Sequence, residues 1–134
     1  MRWGLLGPLL VRDDAGKDIR VPAGRLRTLL ALLLTRINRV VPVDEMVDVL
    51  WEGRPPEDAV RTVRVYLTRL RQVLGPEAAA QILTRSRGYL CQAEEDEFDL
   101  LRFEKLCREA AAASCRQSWS HAADLLTEAL DLWR

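Results

Sequence analysis

Four arginines stand in the stretch AVRTVRVYLTRLRQVLG, residues 59–75, at positions 61, 64, 69 and 71, with no acidic residue among them. A guanidinium fork binds a phosphate, or the acceptor edge of guanine, through two parallel hydrogen bonds, so such a set is chemistry for nucleic acid. The stretch also holds β-branched residues that helices tolerate poorly, and their placement matters. On a wheel of 100° per residue, Val63, Leu67, Leu70 and Leu74, with Val60 close by, share one face within about 80°. Opposite them lie Asp58, Arg61, Thr62, Val65, Arg69 and Gln72, with Arg64 and Arg71 on one flank and Tyr66 bordering the core on the other. An exposed valine and threonine add nothing to helix propensity or solubility. In a DNA major groove their methyls can meet thymine C5-methyl groups while Arg61 and Arg69 pair with guanine, and the flanking Arg64 and Arg71 can hold phosphates. The competing reading is a solvated charged face, and local composition supports both.

The order of the surrounding elements separates them. WGLLGPLLV (3–11) and KDIRV (17–21) flank RDDAG and read as a β-hairpin. GRLRTLLALLLTRI (24–37) reads as a helix apolar on nearly every side, at the centre of the core. VVPV (40–43) is a short strand or extended link, kept from the middle of a sheet by Pro42. VDEMVDVLW (43–51) is a short helix with Asp44 as its N-cap and Met46, Val47, Leu50 and Trp51 as its apolar stripe. A Pro-Pro loop leads into the arginine helix, which Gly75 and Pro76 end. ILTRSRGYLCQ (82–92) is a second hairpin with a basic tip, and Arg85 and Arg87 there could reach a minor groove or the backbone. Helix, short strand, helix, loop, basic helix and basic hairpin is a winged helix-turn-helix layout.

The acidic run AEEDE (93–97) places a domain boundary after residue 92. Beyond it, residues 98–113 and 118–134 read as two amphipathic helices. The first has Leu100, Phe103, Leu106 and Cys107 on one face, and the second Ala122, Leu125, Leu126, Ala129, Leu130 and Trp133. Two such helices make a poor core alone and look like the first unit of an all-α, repeat-like segment, cut off at Arg134. Net charge is zero, but residues 1–90 hold 15 basic and 10 acidic side chains and residues 91–134 hold 5 and 10. The split pairs an anion-binding part with an acidic part. Three cysteines without a CxxC pair or a histidine cluster argue against a disulfide framework or a zinc site, and fit a reducing cytoplasm. The first residues do not read as a signal peptide, and the run LLALLL (29–34) is far too short to span a bilayer.

RVVPVDEMVDVLW, RTVRVYLTRLRQVLG and ILTRSRGYL together resemble the DNA-binding domain of Streptomyces antibiotic regulatory proteins, which are transcriptional activators with an OmpR-like winged helix. GLLGPLLV, FDLLRFEKL and EALDLWR also resemble that family, the last two its bacterial transcriptional activation domain. The resemblance implies an α+β fold with a four-stranded N-terminal antiparallel sheet, three helices and a C-terminal wing over residues 1–92, followed by the start of the activation domain over 93–134. It implies binding of double-stranded DNA at direct repeats near the −35 element of biosynthetic or regulatory promoters, and recruitment of RNA polymerase partly through its sigma factor. By family position, bases are read from Arg61, Thr62, Val65, Tyr66 and Arg69. Phosphates are held from Arg71 and around Arg64, and the wing contact is Arg85. Tyr66 enters the reading set through the resemblance alone. The activation domain is incomplete against the family pattern, and no receiver domain precedes the winged helix.

A catalytic constellation is not legible. His121 has no partner motif, Gly4 and Gly7 make no phosphate-binding fingerprint, and Asp44/Glu45 and Asp96/Glu97 are adjacent pairs that rarely converge. The chain therefore reads as a non-enzyme without cofactor or metal, in the cytoplasm at the nucleoid, with a second protomer beside it on tandem half-sites and no membrane partner. The alternative is a helical protein-interaction module on a winged-helix scaffold that does not bind DNA. Such a module has no use for Arg61, Arg69, Arg85 and Arg87 on one surface. DNA affinity is accordingly expected to fall with salt at a log–log slope of about −0.9 per phosphate neutralised. Salt-insensitive binding, or none to a pool of direct-repeat promoters, would sink that expectation.

Overall fold

A computed structural model describes residues 1–134. The leucine-dense run after Gly24 forms α1 (Arg25–Thr35), and Leu29, Leu30, Leu33 and Leu34 are fully buried, as a helix apolar on nearly every side should be. Helices α2 (Val43–Trp51) and α3 (Ala59–Leu74) pack on α1 and on each other. On α3 the buried positions are Ala59, Val63, Leu67, Leu70 and Leu74, one stripe along the helix. Val60 differs from expectation: it is exposed, because it lies about 60° from the centre of that stripe on the first turn.

Helix ends are set less by side chains than the sequence suggests. Helix α2 starts one residue before Asp44, with Pro42 at the cap position and no side-chain capping bond. Asp44 and Glu45 instead occupy the first turn, where their charge suits the helix dipole. Gly75 stops α3 with φ at 85°, yet Pro76 opens a further turn, α4 (Pro76–Ala79), since proline fits a first helical position.

Strands β3 (Val41–Pro42), β4 (Ile82–Arg85) and β5 (Gly88–Cys91) form an antiparallel sheet in the order β3-β5-β4. Val41 faces Tyr89 and Pro42 faces Gly88, while Ile82 faces Cys91 and Arg85 faces Gly88 across the hairpin. Pro42, which lacks an N–H, stands on an edge strand as expected. Gly88 has a steric reason: a Cβ there would lie 2.0 Å from the Val41 carbonyl oxygen.

The N-terminal sheet is smaller than the four strands implied. β1 (Arg2–Gly4) and β2 (Leu10–Arg12) make a two-stranded sheet. The expected first strand over 3–11 is broken around Pro8, which cannot donate to a ladder. The Asp/Gly turn is present. Asp13 N–H donates to the Lys17 carbonyl at 2.9 Å, Lys17 N–H to Asp13 Oδ1 at 2.8 Å, and Ile19 N–H to the Val11 carbonyl at 2.8 Å. Its return arm is a single bridge, Arg12 to Asp18, not a strand over 17–21. The hydrogen bond from Arg12 Nε holds the exposed Asp18 carboxyl below its ordinary range.

The chain divides into two compact units. One comprises Met1 and Val11–Ala93, the other Arg2–Leu10 and Glu94–Arg134. One division falls between Ala93 and Glu94, and residues 2–10 group with the helical segment. Trp3 bridges Phe98, and both are almost completely buried. Asp99 accepts Leu5 N–H at 2.9 Å, Leu6 N–H at 3.1 Å and Arg134 Nη1–H at 2.7 Å. Part of the acidic run forms a 3-10 turn at Glu95–Glu97, locked by a capping box between Glu94 and Glu97.

In this second unit α5 (Asp99–Cys115) and α6 (Trp119–Asp131) pair through Leu106, Ala110, Ala113, Ala122, Leu125 and Ala129, with Phe103 and Cys107 partly buried against them. Leu126, Leu130 and Trp133, expected in the core stripe, are 46%, 67% and 53% exposed; alanines let the two helices meet along a narrow line that the two leucines miss, while Trp133 meets only the edge of the cluster, its ring centroid 5.7 Å from that of Phe103. Trp119 is exposed as well.

Gly88→Ala is expected to destabilise the fold by about 1–3 kcal/mol or more, since the clash is with backbone that cannot rotate away. Denaturant unfolding with amide exchange at β3 and β5 reads this out. Native exchange protection in the variant would overturn it.

Candidate nucleic-acid interface

Burial of one stripe fixes the rotation of α3 and thereby what the opposite arc displays. Arg61, Arg64, Val65, Thr68, Arg69 and Gln72 are exposed, with Val65 at 41%. The side chains of Arg61, Arg64 and Arg69 make no ion pair or hydrogen bond. Thr62 is half-buried, and its hydroxyl donates to the Asp58 carbonyl at 3.0 Å, leaving its methyl and oxygen lone pairs for other work. Asp58 itself sits at the cap position without a capping bond.

The two flanks of α3 are tied to different neighbours. On one flank Arg71 is half-buried. Its Nη2 donates to the Ile82 carbonyl at 2.7 Å and to Thr84 Oγ1 at 3.0 Å, and its guanidinium lies 5.5 Å from the Tyr89 ring centroid. Arg71 thus joins α3 to the β4–β5 hairpin, a task its position in the sequence did not disclose. On the other flank Tyr66 is half-buried and stacks with Trp51 of α2 at 6.5 Å between centroids. Arg25, the first residue of α1, lies 5.0 Å from the Trp51 centroid and 5.9 Å from that of Tyr66, and donates from Nη1 to the Tyr66 hydroxyl at 3.1 Å. Sequence reasoning missed Arg25 and read Trp51 as core. No periodicity connects residues 25, 51 and 66, so nothing local could have found the cluster.

At the hairpin tip Ser86 and Arg87 connect Arg85 to Gly88. Arg85 Nη1 donates to the Thr84 carbonyl at 2.9 Å, while the Arg87 side chain has no partner and its carbonyl accepts Val43 N–H at 3.0 Å. Both side chains are exposed. His121 is exposed on α6, and no group of three or more His, Cys, Asp or Glu could hold a metal ion.

A three-helix core with a basic third helix, followed by a hairpin bonded to that helix, is a helix-turn-helix domain of the α+β class. Residues 19–91 match the family model described as "Transcriptional regulatory protein, C terminal". The chain is 38% identical over 134 residues to regulatory protein AfsR of Streptomyces coelicolor, a match covering 99% of this chain and 13% of AfsR. It is 31% identical over 143 residues to regulatory protein DnrI of Streptomyces peucetius, covering 100% of this chain and 52% of DnrI. Among solved structures, Mycobacterium tuberculosis EmbR in complex with a low-affinity phosphopeptide superposes with a TM-score of 0.89 at 29% identity, over 99% of this chain and 36% of that one. The chain belongs to this family of transcriptional regulatory proteins and, within it, to the Streptomyces antibiotic regulatory proteins. It spans only 13% and 52% of the two curated relatives named.

Arg71→Ala removes two hydrogen bonds worth about 0.5–1.5 kcal/mol each. Amide exchange in Ile82–Cys91 should accelerate selectively, with a global loss of about 1–3 kcal/mol. Unchanged hairpin exchange would show that Arg71 does not hold the hairpin.

Proposed function

We propose that this chain reads duplex DNA, with α3 in the major groove and the β4–β5 tip as a wing, and serves a transcriptional activator acting at direct repeats near a −35 element. The observation that carries the reading is the arc of α3 opposite its buried stripe, where Arg61, Arg64 and Arg69 are exposed and none of the three forms an ion pair. A structural helix has no need of three unpaired guanidiniums beside an exposed valine. Arg61, Arg69, Thr62, Val65 and Tyr66 meet base edges, and Arg64 the phosphates. Arg71 reaches phosphate only with the nitrogens its hairpin bonds leave free. Arg87 and Arg85 touch the adjacent groove or backbone.

One module of this size covers about 600–1,000 Å² of surface, so two protomers side by side on tandem half-sites complete a specific footprint. The helical unit, with acidic residues at 94–97, contributes to contact with RNA polymerase and its sigma factor in the cytoplasm at the nucleoid. A second reading, a helical interaction module on a non-binding scaffold, draws on the exposed Trp119, Leu126, Leu130 and Trp133. It leaves the arginine arc without a task.

Selection of bound sites from a random DNA library tests the proposal with the whole chain, because a fragment ending at residue 92 would strip Trp3 of its partner Phe98. Arg61→Ala and Arg69→Ala should each cost about 1–3 kcal/mol on the selected site and relax preference at one base pair. Arg64→Ala should weaken all sequences alike and make the salt slope shallower by about 0.9. Uniform weakening by Arg61→Ala and Arg69→Ala would remove them from base readout.

A further inference from the structure

We infer that Arg25 is a positioning residue for Tyr66, setting the tyrosine hydroxyl as a hydrogen-bond donor toward a base acceptor; this rests on the DNA-reading proposal above. Arg25 is the first residue of α1, where a cation opposes the helix dipole, so its placement needs another cause. It has no carboxylate partner. Its guanidinium lies over Trp51 and near Tyr66, at 5.0 and 5.9 Å from the ring centroids, and donates from Nη1 to the Tyr66 oxygen at 3.1 Å. Three elements thus converge on one phenol: α1 through the cation, α2 through the stacked indole and α3 through Tyr66 itself.

Tyr66 stands four residues after Thr62 and three before Arg69, so the three side chains line one edge of α3. That edge borders the unpaired arginines and lies on the flank away from Arg71 and the hairpin. A phenolic oxygen whose lone pair is taken by a guanidinium N–H keeps its own O–H for donation. In the major groove its complement is an acceptor: guanine O6 or N7, adenine N7, or thymine O4. The cytosine amino group is a donor and does not complement that O–H. A cation packed against both stacked rings also keeps the tyrosine from swinging into the groove or away from it. Packing alone would be met by an aliphatic residue at position 25, without an unpaired charge beside other unpaired charges.

The experiment uses the whole chain, the duplex it selects from a random library, and every single base-pair change of that duplex. Tyr66→Phe and Arg25→Ala should each lower preference at the same base pair by about 2–10-fold, the worth of one hydrogen bond. The double variant should lose no more than either single one, because both remove the same contact. Arg25→Lys keeps the charge without the guanidinium fork; it should show the same loss with the salt slope unchanged, and it carries the test if the alanine variant fails to fold. If Arg25 variants keep the base preference while Arg25→Ala weakens all sequences alike, with a salt slope shallower by about 0.9, Arg25 is a phosphate contact and the inference is overturned. Wild-type protein that selects no DNA would overturn the inference together with the reading it rests on. Binding by the wild type with unaltered preference in Tyr66→Phe and Arg25→Ala would overturn the inference alone.

Discussion

The seating of α3 against α1 and α2 is the constraint on which the first unit depends. Val63, Leu67, Leu70 and Leu74 are buried to 3% exposure or less, against a helix whose four central leucines are wholly inside. Burying each aliphatic side chain contributes about 1.5–3 kcal/mol as an upper estimate. The six β-branched residues of α3 together cost the helix about 3–4 kcal/mol in intrinsic propensity. Packing wins, and the helix exists because its neighbours hold it. The same burial leaves no rotational freedom: turning α3 by one residue would put Arg64 or Thr62 where Val63 sits. Exposure of the arginines is therefore a consequence of the core, not a separate feature of the surface.

Rotation alone does not hold the exposed face of α3 in place; its flanks must also be fixed. About 80° to one side of the stripe, Arg71 bonds to Ile82 and Thr84 and ties the hairpin to the helix. About 60° to the other side, Tyr66 is held by Trp51 and Arg25. Both ties are arginine–aromatic arrangements at the boundary between core and solvent, where a guanidinium can stack flat and still donate. The arginines of α3 and its surroundings thus divide by environment. Arg71 and Arg25 have partners within the protein, whereas Arg61, Arg64 and Arg69 have none.

The second unit follows a different logic. Small residues dominate the α5–α6 seam, so two short helices approach closely and leave their larger apolar side chains outside it. Asp99 at the start of α5 compensates for the thin core by gathering two backbone amides and a guanidinium around one carboxylate. Charge-assisted bonds of this kind are the stronger sort. They give residues 2–10 their place with the helices rather than with the chain that immediately follows.

Much was legible in the sequence because it rests on local rules. The 3.6-residue period placed α1, α2, α3, α5 and α6, and the two-residue connection between Arg85 and Gly88 marked the second hairpin. The stripe of α3 and the exposure of Arg61, Val65 and Arg69 follow from the period alone. What was not legible depends on pairs distant along the chain. Trp3 finds Phe98, Arg25 finds Tyr66, and Gly88 is required only because Val41 passes within reach of its missing Cβ. Leu126 and Leu130 fit a core pattern yet lie outside, since a period states that a side is apolar and not that a neighbour covers it. The amino-acid order by itself determined which face of each helix is apolar and which carries charge. Only the tertiary structure decided which charges are spent on internal partners and which remain free, because that depends on what the fold brings within hydrogen-bonding distance.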